Sequence, residues 1–565
     1  MESTKTLSSK VNFPKSVTSV YHRLKDRFES PTALLETASI STKEHTRSIA
    51  MLSAALSIEC VGFNVKVKAL NENGAQFLPE FKQLFLGPEN LKNGFKIEIP
   101  HANLHSEVDE RKKLCQSSVM DVLRKVMEPL KVQASDDRTT MLIGTFAFDI
   151  YELFESLNPL EDEPEFPHYI FYLADTLLEV DHLNNSARVH TKVFPGKKMR
   201  ELQNDYQRRL SILNDFFEND TDTCDVLQAI NTDFEALVTS TSGNESSSNN
   251  QKSLSKMNFS KKSLSTGSEQ VNVLSSEFAS RVEKAKKHII DGDIFQIVLA
   301  RDFKLPCNNA FLAYQYLRQQ NPSPYMFYIE DSSYQLFGAS PESAVKYESE
   351  SRLLSLYPIA GTRKRGLNAD GTINHDLDAR IELELKNDEK ERSEHLMLVD
   401  LGRNDIARVC QSGTRKIERL LEIDRYSHVM HLVSKVSGTL CEELDALSAY
   451  QACMNMGTLS GAPKVKATQL IRTIEQQYRG AYGGAMGYIN AAGDMDTAIV
   501  IRSALVKDCQ ATVSAGAGIV FDSVSELEIK ETENKAAAVI QAINQANQIA
   551  VSGKRNNFQQ EAADV

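Results

Sequence analysis

The sequence is poor in the features that mark secreted, membrane-spanning and nucleic-acid-binding chains, and each shortage removes a class of function. Its start, MESTKTLSSKVNFPKSVTSVYHRLKDRF, has no apolar core behind its charges, and no uninterrupted apolar run reaches membrane-spanning length. The eight cysteines (Cys60, Cys115, Cys224, Cys307, Cys410, Cys441, Cys453, Cys509) are scattered, with no C-x-x-C pair and no zinc-type spacing. That is the pattern of reduced thiols in a reducing compartment. A formal net charge of −12 argues against a broad nucleic-acid surface, yet leaves room for a local cationic pocket that takes a small anion. No tandem repeat of solenoid length is visible. The expectation is a soluble, cytoplasmic protein that engages neither membrane nor nucleic acid.

What is present is an ordinary globular composition, 41% hydrophobic and 25% charged over 565 residues, enough for two or more domains. Between Ser240 and Ser268 lie eleven serines with several Asn and Lys, a stretch unable to bury enough surface to offset its ordering entropy. The expected organisation is an N-terminal domain at 1–238, a Ser/Asn-rich linker at 239–270, a second domain at 271–548 and a polar tail at 549–565. Alternation in VGFNVKVKAL and HYIFYLADTLLEVDHLNNSARVHTKVF predicts strands, with Asn184-Asn185 as a hairpin turn. CQSSVMDVLRKVM carries a helical period instead. A second hairpin is expected around Gly493-Asp494. The fold class is α/β (α+β): a two-domain layered sandwich of large, mostly antiparallel sheets packed with helices.

Two acidic pairs spaced i, i+3, Glu391/Glu394 in KERSEHLMLVDLGRND and Glu528/Glu531 in ELEIKETENKAAAVI, fall in segments of helical character. Residues three apart share a helix face, so each segment can present a double-carboxylate wall. Two such walls facing each other suit a hard divalent cation, Mg2+ first. Taken alone, such pairs more often just solvate a helix. Glycine-bearing stretches accompany them: YPIAGTRKRG with Gly361-Thr362, MNMGTLSGAPK with Gly457-Thr458, and VSAGAGIVFDS with Gly516, Ala517 and Gly518. Glycines let a ligand approach backbone N–H groups, although each could equally be a turn. Arg502 offers a fork for a carboxylate, Tyr482 a phenol, and His431 an acid or base near neutral pH. Together they describe a site for a dicarboxylate, one carboxylate on the metal and the other on Arg502 and backbone amides.

The runs IFQIVLARDF, NPSPYMFYIEDSSYQLFGASPES, YPIAGTRKRG, SEHLMLVDLGRNDIARV, DRYSHVMHLVS, CMNMGTLSGAPK, YGGAMGY, IVIRSAL, AGAGIVFDS and ETENKA, in this order, strongly resemble the chorismate-utilising enzymes. Within that family the chain is similar to the anthranilate-forming large subunits of enterobacterial kind. The resemblance implies amination of chorismate at C2, loss of the C4 hydroxyl and elimination of pyruvate. By that resemblance Glu394 and Glu531 are Mg2+ ligands, with Glu391 and Glu528 holding the ion's waters or completing its shell. Gly361, Thr362, Tyr482, Arg502, Gly516, Ala517 and Gly518 bind substrate. Glu342 in ASPES is the general acid for the departing hydroxyl, His431 the base or proton shuttle for pyruvate loss, and Thr458 lies beside the ring.

Two positions choose among the family's reactions. Members that add water resemble one another in carrying lysine where this chain has Gln296, and Gln cannot take a proton from water. Aminodeoxychorismate synthases read Pro-Ile-Lys-Gly-Thr where this chain has Pro-Ile-Ala-Gly-Thr, with Ala360 in place of their nucleophilic lysine. No cysteine sits in a G-x-C-x-G turn, so ammonia is expected from a separate glutamine amidotransferase subunit, in a heterotetramer of two large and two small subunits. The alternatives are an aminodeoxychorismate synthase component I and a non-catalytic tryptophan-binding homologue.

LLETASI at 34–40 resembles the family's LLES inhibitor motif, with Thr37 in place of Ser. By the same resemblance Glu36, Thr37 and Arg47 form one wall of a tryptophan site, and Pro324, Tyr325 and Met326 the other. Glu36 is expected to answer the ammonium group of L-tryptophan. The chain itself contains no tryptophan, compatible with an enzyme needed when that amino acid is scarce.

Overall fold

The structure is a computed structural model that describes residues 3–28, 31–38, 45–100, 110–130, 138–219, 270–271, 273–368, 372–425 and 429–561, with side chains as far as 549. The linker expected at 239–270 lies outside the described residues except for Gln270. Fifteen strands build the sites: β1 (Thr32–Ala38), β2 (His45–Val61), β3 (Met141–Phe146), β4 (Tyr169–Asp181), β5 (Gln296–Pro306), β6 (Tyr325–Glu330), β7 (Gln335–Ser340), β8 (Ser343–Glu348), β9 (Leu353–Leu356), β10 (Ile359–Lys364), β11 (Val429–Thr439), β12 (Ala485–Asn490), β13 (Met495–Ile499), β14 (Ser503–Lys507) and β15 (Gln510–Ile519). Three helices matter equally: α1 (Ala310–Gln320), α2 (Glu389–Val409) and α3 (Ser525–Glu561).

The strands pair antiparallel in one continuous order, β5–β15–β14–β7–β6–β1–β2–β4–β3–β12–β13–β8–β9–β11–β10. Two of those pairings, β1 with β6 and β3 with β12, join residues from 1–238 to residues from 271–548. Strand alternation explains why the network folds on itself: buried apolar residues on opposite faces of the strands feed separate cores. Leu34, Ala50, Met326 and Tyr328 pack toward α1 and α3, whereas Leu35, Ile49, Phe327 and Ile329 pack against Met141, Ile143 and Met486. The Asn184-Asn185 turn closes a hairpin with Asp181 opposite Ser186, Asn185 taking a φ of 46°. The second turn joins β12 to β13, with Gly493 at a φ of 95°, where glycine avoids a Cβ clash.

Both acidic pairs stand on helices. The side chain of Asp388 caps α2 by accepting from the Glu391 N–H at 3.1 Å, and Leu398, Val399, Ile406 and Val409 bury its inner face. The corresponding apolar stripe of α3 is Ala536, Val539, Ala542, Ile543 and Ala546, packed on the α1 side of the sheet. The backbone of α3 continues helical to Glu561, through the segment expected as a polar tail at 549–565. None of the described residues forms a helix long and apolar enough to cross a membrane.

Candidate active site

Glu342 occupies the corner between β7 and β8, in Ser340-Pro341-Glu342, where the Ser340 hydroxyl donates to the Glu342 carbonyl oxygen at 3.2 Å and the Ile499 N–H donates to it at 3.0 Å. These bonds fix the backbone, and the side chain is buried. Burial drives its pKa up to about 8 from an ordinary 4.5, against the opposing effect of the Thr458 hydroxyl, which donates to Oε1 at 3.1 Å. A carboxylic acid that keeps its proton at neutral pH is what a general acid requires. The structure supplies the burial that the sequence could not show.

Next to it the two acidic walls face each other. Glu394 has its proton affinity raised by burial first, then by Glu391 and by Glu531 across the gap, with Gln296 and Lys535 opposing. Glu528 is raised by burial and by Glu531, against a bond from Ser523 and the charges of Lys390 and Lys535. The Gln296 amide nitrogen donates to Glu394 Oε1 at 3.1 Å, leaving Gln296 Oε1 buried without a bonding partner. Gly518 makes this approach possible, because a Cβ there would sit 2.7 Å from Gln296 Nε2 and 3.7 Å from Glu394 Oε1.

Whether this set suits a divalent cation can be tested on its chemistry. No three His, Cys, Asp or Glu side chains among the described residues converge as a ready cage, and Glu391 is held by Arg363 at 2.8 Å. What remains is a pair of hard-oxygen donors, Glu394, whose proton affinity is raised by burial and by the neighbouring carboxylates, and Glu531, held by the part-exposed Lys535 at 2.6 Å, beside an orphaned amide oxygen. Mg2+ is bound in this way, through one or two carboxylates while waters and an anionic substrate complete its shell. The residues fit it, with Glu391 committed to Arg363 rather than free to ligate.

The substrate-binding residues expected from sequence surround the walls. Thr362 Oγ1 lies 2.9 Å from His431 Nδ1, the two residues directly opposite on β10 and β11. Gly361 has a φ of 73°, and a Cβ there would meet Glu391 Oε2 at 3.1 Å. Ala517 sits opposite Leu299 in the β5–β15 ladder, which turns Gly516 and Gly518 to the other face, toward Tyr482, Gln296 and Glu394. A Cβ at Gly516 would stand 2.9 Å from the Tyr482 hydroxyl. Arg502, with a φ of 51°, is half-buried; desolvation works against its charge while Tyr482 and Glu531 support it. A half-buried cation with no carboxylate within salt-bridge distance among the described residues suits an incoming carboxylate.

A second cavity, about 550 Å³, lies where β1, β2, β6, β12 and β13 meet, lined among others by Thr37, Arg47, Tyr325, Met486, Tyr488 and Asp496. Its volume suits an amino-acid-sized ligand. Of the expected tryptophan residues Thr37, Arg47 and Tyr325 line it, Glu36 and Met326, opposite each other on β1 and β6, only border it from the α1-facing side, and Pro324 is not among the lining residues. Glu36 borders the cavity, but its buried carboxylate turns to α1, where Arg318 grips both oxygens at 2.9 and 3.0 Å and the Tyr314 hydroxyl donates at 2.6 Å. Strand alternation puts residue 36 on the helix-covered face, so it is not placed to answer an ammonium group. Asp496 is: it is half-buried on the cavity wall, desolvation raises its pKa, and the Tyr325 hydroxyl donates to it at 3.2 Å. Arg47 bridges to Glu179 at 2.7 Å and lies 5.6 Å over the Tyr488 ring. The Pro324 carbonyl accepts from Ala38 at 2.8 Å, extending the β1–β6 pairing. Two residues passed unremarked in the sequence: Asp496, hidden in a hairpin, and Lys535, four residues beyond Glu531 in ETENKA, whose i, i+4 spacing was the available signal.

The architecture and this double-carboxylate site define an enzyme of chorismate chemistry. The sequence profile of chorismate binding enzymes matches residues 90–541, and the chain belongs to that family. It is 41% identical over 558 residues to "Anthranilate synthase component 1" of Vibrio cholerae, covering 96% of this chain and 97% of that one. To the protein of the same name from Salmonella typhimurium it is 44% identical over 515 residues, 91% of this chain and 92% of that one. Among solved structures, anthranilate synthase component I from Streptococcus pneumoniae superposes with a TM-score of 0.60 at 27% identity, covering 87% of this chain and 92% of that chain. The menaquinone-specific isochorismate synthase of Escherichia coli shares the fold, with a TM-score of 0.62 at 16% identity over 96% of this chain and 94% of that one.

Proposed function

We propose that this chain is the large subunit of an anthranilate synthase, aminating chorismate at C2 with ammonia and eliminating pyruvate to give anthranilate. The observation that carries the reading is the Gln296–Glu394 hydrogen bond at the edge of the acidic walls. A lysine there would supply a base for water, whereas Gln supplies none, and ammonia is already a nucleophile. Relatives 41–44% identical bear the same activity in their names.

Arg502, Tyr482 and the amides around Gly516 and Gly518 hold the enolpyruvyl carboxylate, while Glu394 and Glu531 would hold a Mg2+ ion, which would supply the charge that neutralises the ring carboxylate. As ammonia forms its bond to C2, the ring double bonds shift and the C4–O bond breaks. Glu342 gives its proton to the departing oxygen, and a space of about 30 Å³ beside Glu342 and Thr458 has room for the water that leaves. His431, held by Thr362, takes the C2 proton as the C3–O bond breaks and the ring becomes aromatic, and the enolpyruvate released gains a proton at its methylene carbon to become pyruvate.

Ammonia is delivered by a separate glutamine amidotransferase, in a heterotetramer of two large and two small subunits in the cytoplasm. L-Tryptophan binds the cavity at β1 and β6, its ammonium at Asp496 and its carboxylate at Arg47, and inhibits from there. The decisive assay incubates purified protein with chorismate, Mg2+ and an ammonium salt. Fluorescent anthranilate plus pyruvate is expected. A non-aromatic amino product would establish the aminodeoxychorismate reaction, and no turnover would point to a non-catalytic homologue. Glutamine should replace ammonium only after a glutaminase subunit is added.

A further inference from the structure

The acidic site already contains a cation of its own. Lys535 stands one turn beyond Glu531 on α3, its Nζ 2.6 Å from Glu531 Oε1 and donating to the Gly516 carbonyl oxygen at 2.9 Å. Its charge reaches Glu342, Glu394 and Glu528, in each case favouring the ionised form. Arg363 neutralises Glu391, Lys390 acts on Glu528 and Arg502 on Glu531, and Lys535 is the cation whose charge reaches Glu394, Glu528 and the Glu531 carboxylate it touches. We propose that Lys535 is an exchangeable counter-ion: it occupies the Glu531 oxygen in the substrate-free protein and gives it up when a divalent cation binds, so that ammonium and metal are alternative occupants.

The proposal rests on the Mg2+ reading given above and concerns this chain's own side chains. A metal bound to Glu531 sits about 2.0–2.1 Å from its oxygen, and two cations cannot share that oxygen at such distances without strong repulsion. The existing pair is easily surrendered. Lys535 is 37% and Glu531 44% exposed, so water screens the contact. Lysine's flexible four-carbon stem lets the ammonium relocate. A dicarboxylate entering beside Gly516 offers it a new anion, freeing Glu531 for the metal. Substrate and Mg2+ should then strengthen each other's binding by the same factor.

Isothermal titration of Mg2+ into the full chain, with and without chorismate and always without ammonia, tests this on the wild type and on Lys535→Met, Lys535→Arg and Glu531→Gln. Without chorismate, Lys535→Met is expected to bind Mg2+ at least five-fold more tightly than the wild type, and chorismate should add less to its affinity. Lys535→Arg keeps the competing charge and should stay at or below wild-type affinity. Unchanged or weaker Mg2+ binding by Lys535→Met would overturn the proposal while leaving the metal site standing. Absence of Mg2+ binding by the wild type, with and without chorismate, would instead remove the metal reading and this inference with it. Should Lys535→Met fail to fold, nitrogen-15 spectra of lysine-labelled wild-type protein decide, the Lys535 signal being assigned by its loss in Lys535→Arg. That Nζ resonance must move on Mg2+ addition, and a fixed resonance in metal-bound protein refutes the exchange.

Discussion

Thr458 Oγ1 donates to Glu342 Oε1 at 3.1 Å, the one side-chain hydrogen bond that opposes the burial of the acid. Burial alone would hold the proton more tightly still, so Thr458 tunes the acid toward release. Thr458→Val should therefore move the alkaline limb of the rate profile to higher pH, above its expected position at about 8. The pH dependence of kcat under saturating chorismate reads the shift directly; an unmoved limb would assign the limb to another group.

Glu342 also writes itself into stability. Its pKa is about 8 in the folded protein and near 4.5 when exposed, so between those values the folded state holds a proton that the unfolded state does not. The slope of stability with pH is then negative. The contribution is fully present below pH 4.5, is lost as pH rises toward 8, and is flat beyond. Glu342→Gln removes this dependence, and its Tm should gain on the wild type from pH 5 to pH 8. Activity of the same variant should fall by about 10²–10⁴-fold, the usual worth of a positioned proton donor.

Replacing Glu394 or Glu531 by Gln removes a charge proposed to bind Mg2+ with little change of shape. Turnover should fall by orders of magnitude, comparable with ~3–5 kcal/mol of transition-state stabilisation. Near-normal turnover in both at saturating Mg2+ would show that the paired carboxylates only solvate their helices. Glu391→Gln separates ligand from scaffold: with Arg363 already holding Glu391, it should cost less than either.

Ala360 stands on β10 opposite Leu432, just before the irregularity at Gly361. Ala360→Lys puts an amine at the edge of the site, and mass spectrometry should find a chorismate-derived adduct on that lysine or products aminated at C4. An untouched product spectrum would strip the position of its discriminating role.

Much of the site was legible because its chemistry comes in local units. Glu391/Glu394 and Glu528/Glu531 each sit on one helix face, and both turns, at Asn184-Asn185 and Gly493-Asp494, follow from residue type. What the sequence hid depends on pairing across the chain. The raised pKa of Glu342 comes from burial between β7, β8 and the Thr458 segment, more than a hundred residues away. The orientation of Glu36 is decided by α1, whose Arg318 and Tyr314 claim the carboxylate, and no pattern within LLETASI reveals that. The continuity of the strand network across 1–238 and 271–548 likewise arises from β1–β6 and β3–β12, pairings that composition cannot announce.

The same cross-chain pairing suggests how the second cavity can act on the first. Asp496 and Ile499 lie on one strand, β13; Asp496 faces the proposed tryptophan cavity, and the Ile499 N–H holds the Glu342 carbonyl at 3.0 Å. From the other side Tyr325, bonded to Asp496, pairs with Ser340, two residues before Glu342. A ligand that pulls on Asp496 thus pulls on both strands that position Glu342, the proposed general acid, and inhibits if it binds the less active arrangement more tightly. Thr37→Phe, which fills the cavity, should relieve tryptophan inhibition while sparing turnover. Asp496→Asn removes the charge offered to the ammonium group and should raise the tryptophan concentration for half-inhibition about ten-fold or more, the scale of a charge-assisted hydrogen bond. Glu36→Gln, whose carboxylate belongs to Arg318, should instead lower Tm and leave tryptophan affinity, measured by calorimetry, less affected than Asp496→Asn does. The reverse order would return the ammonium site to Glu36.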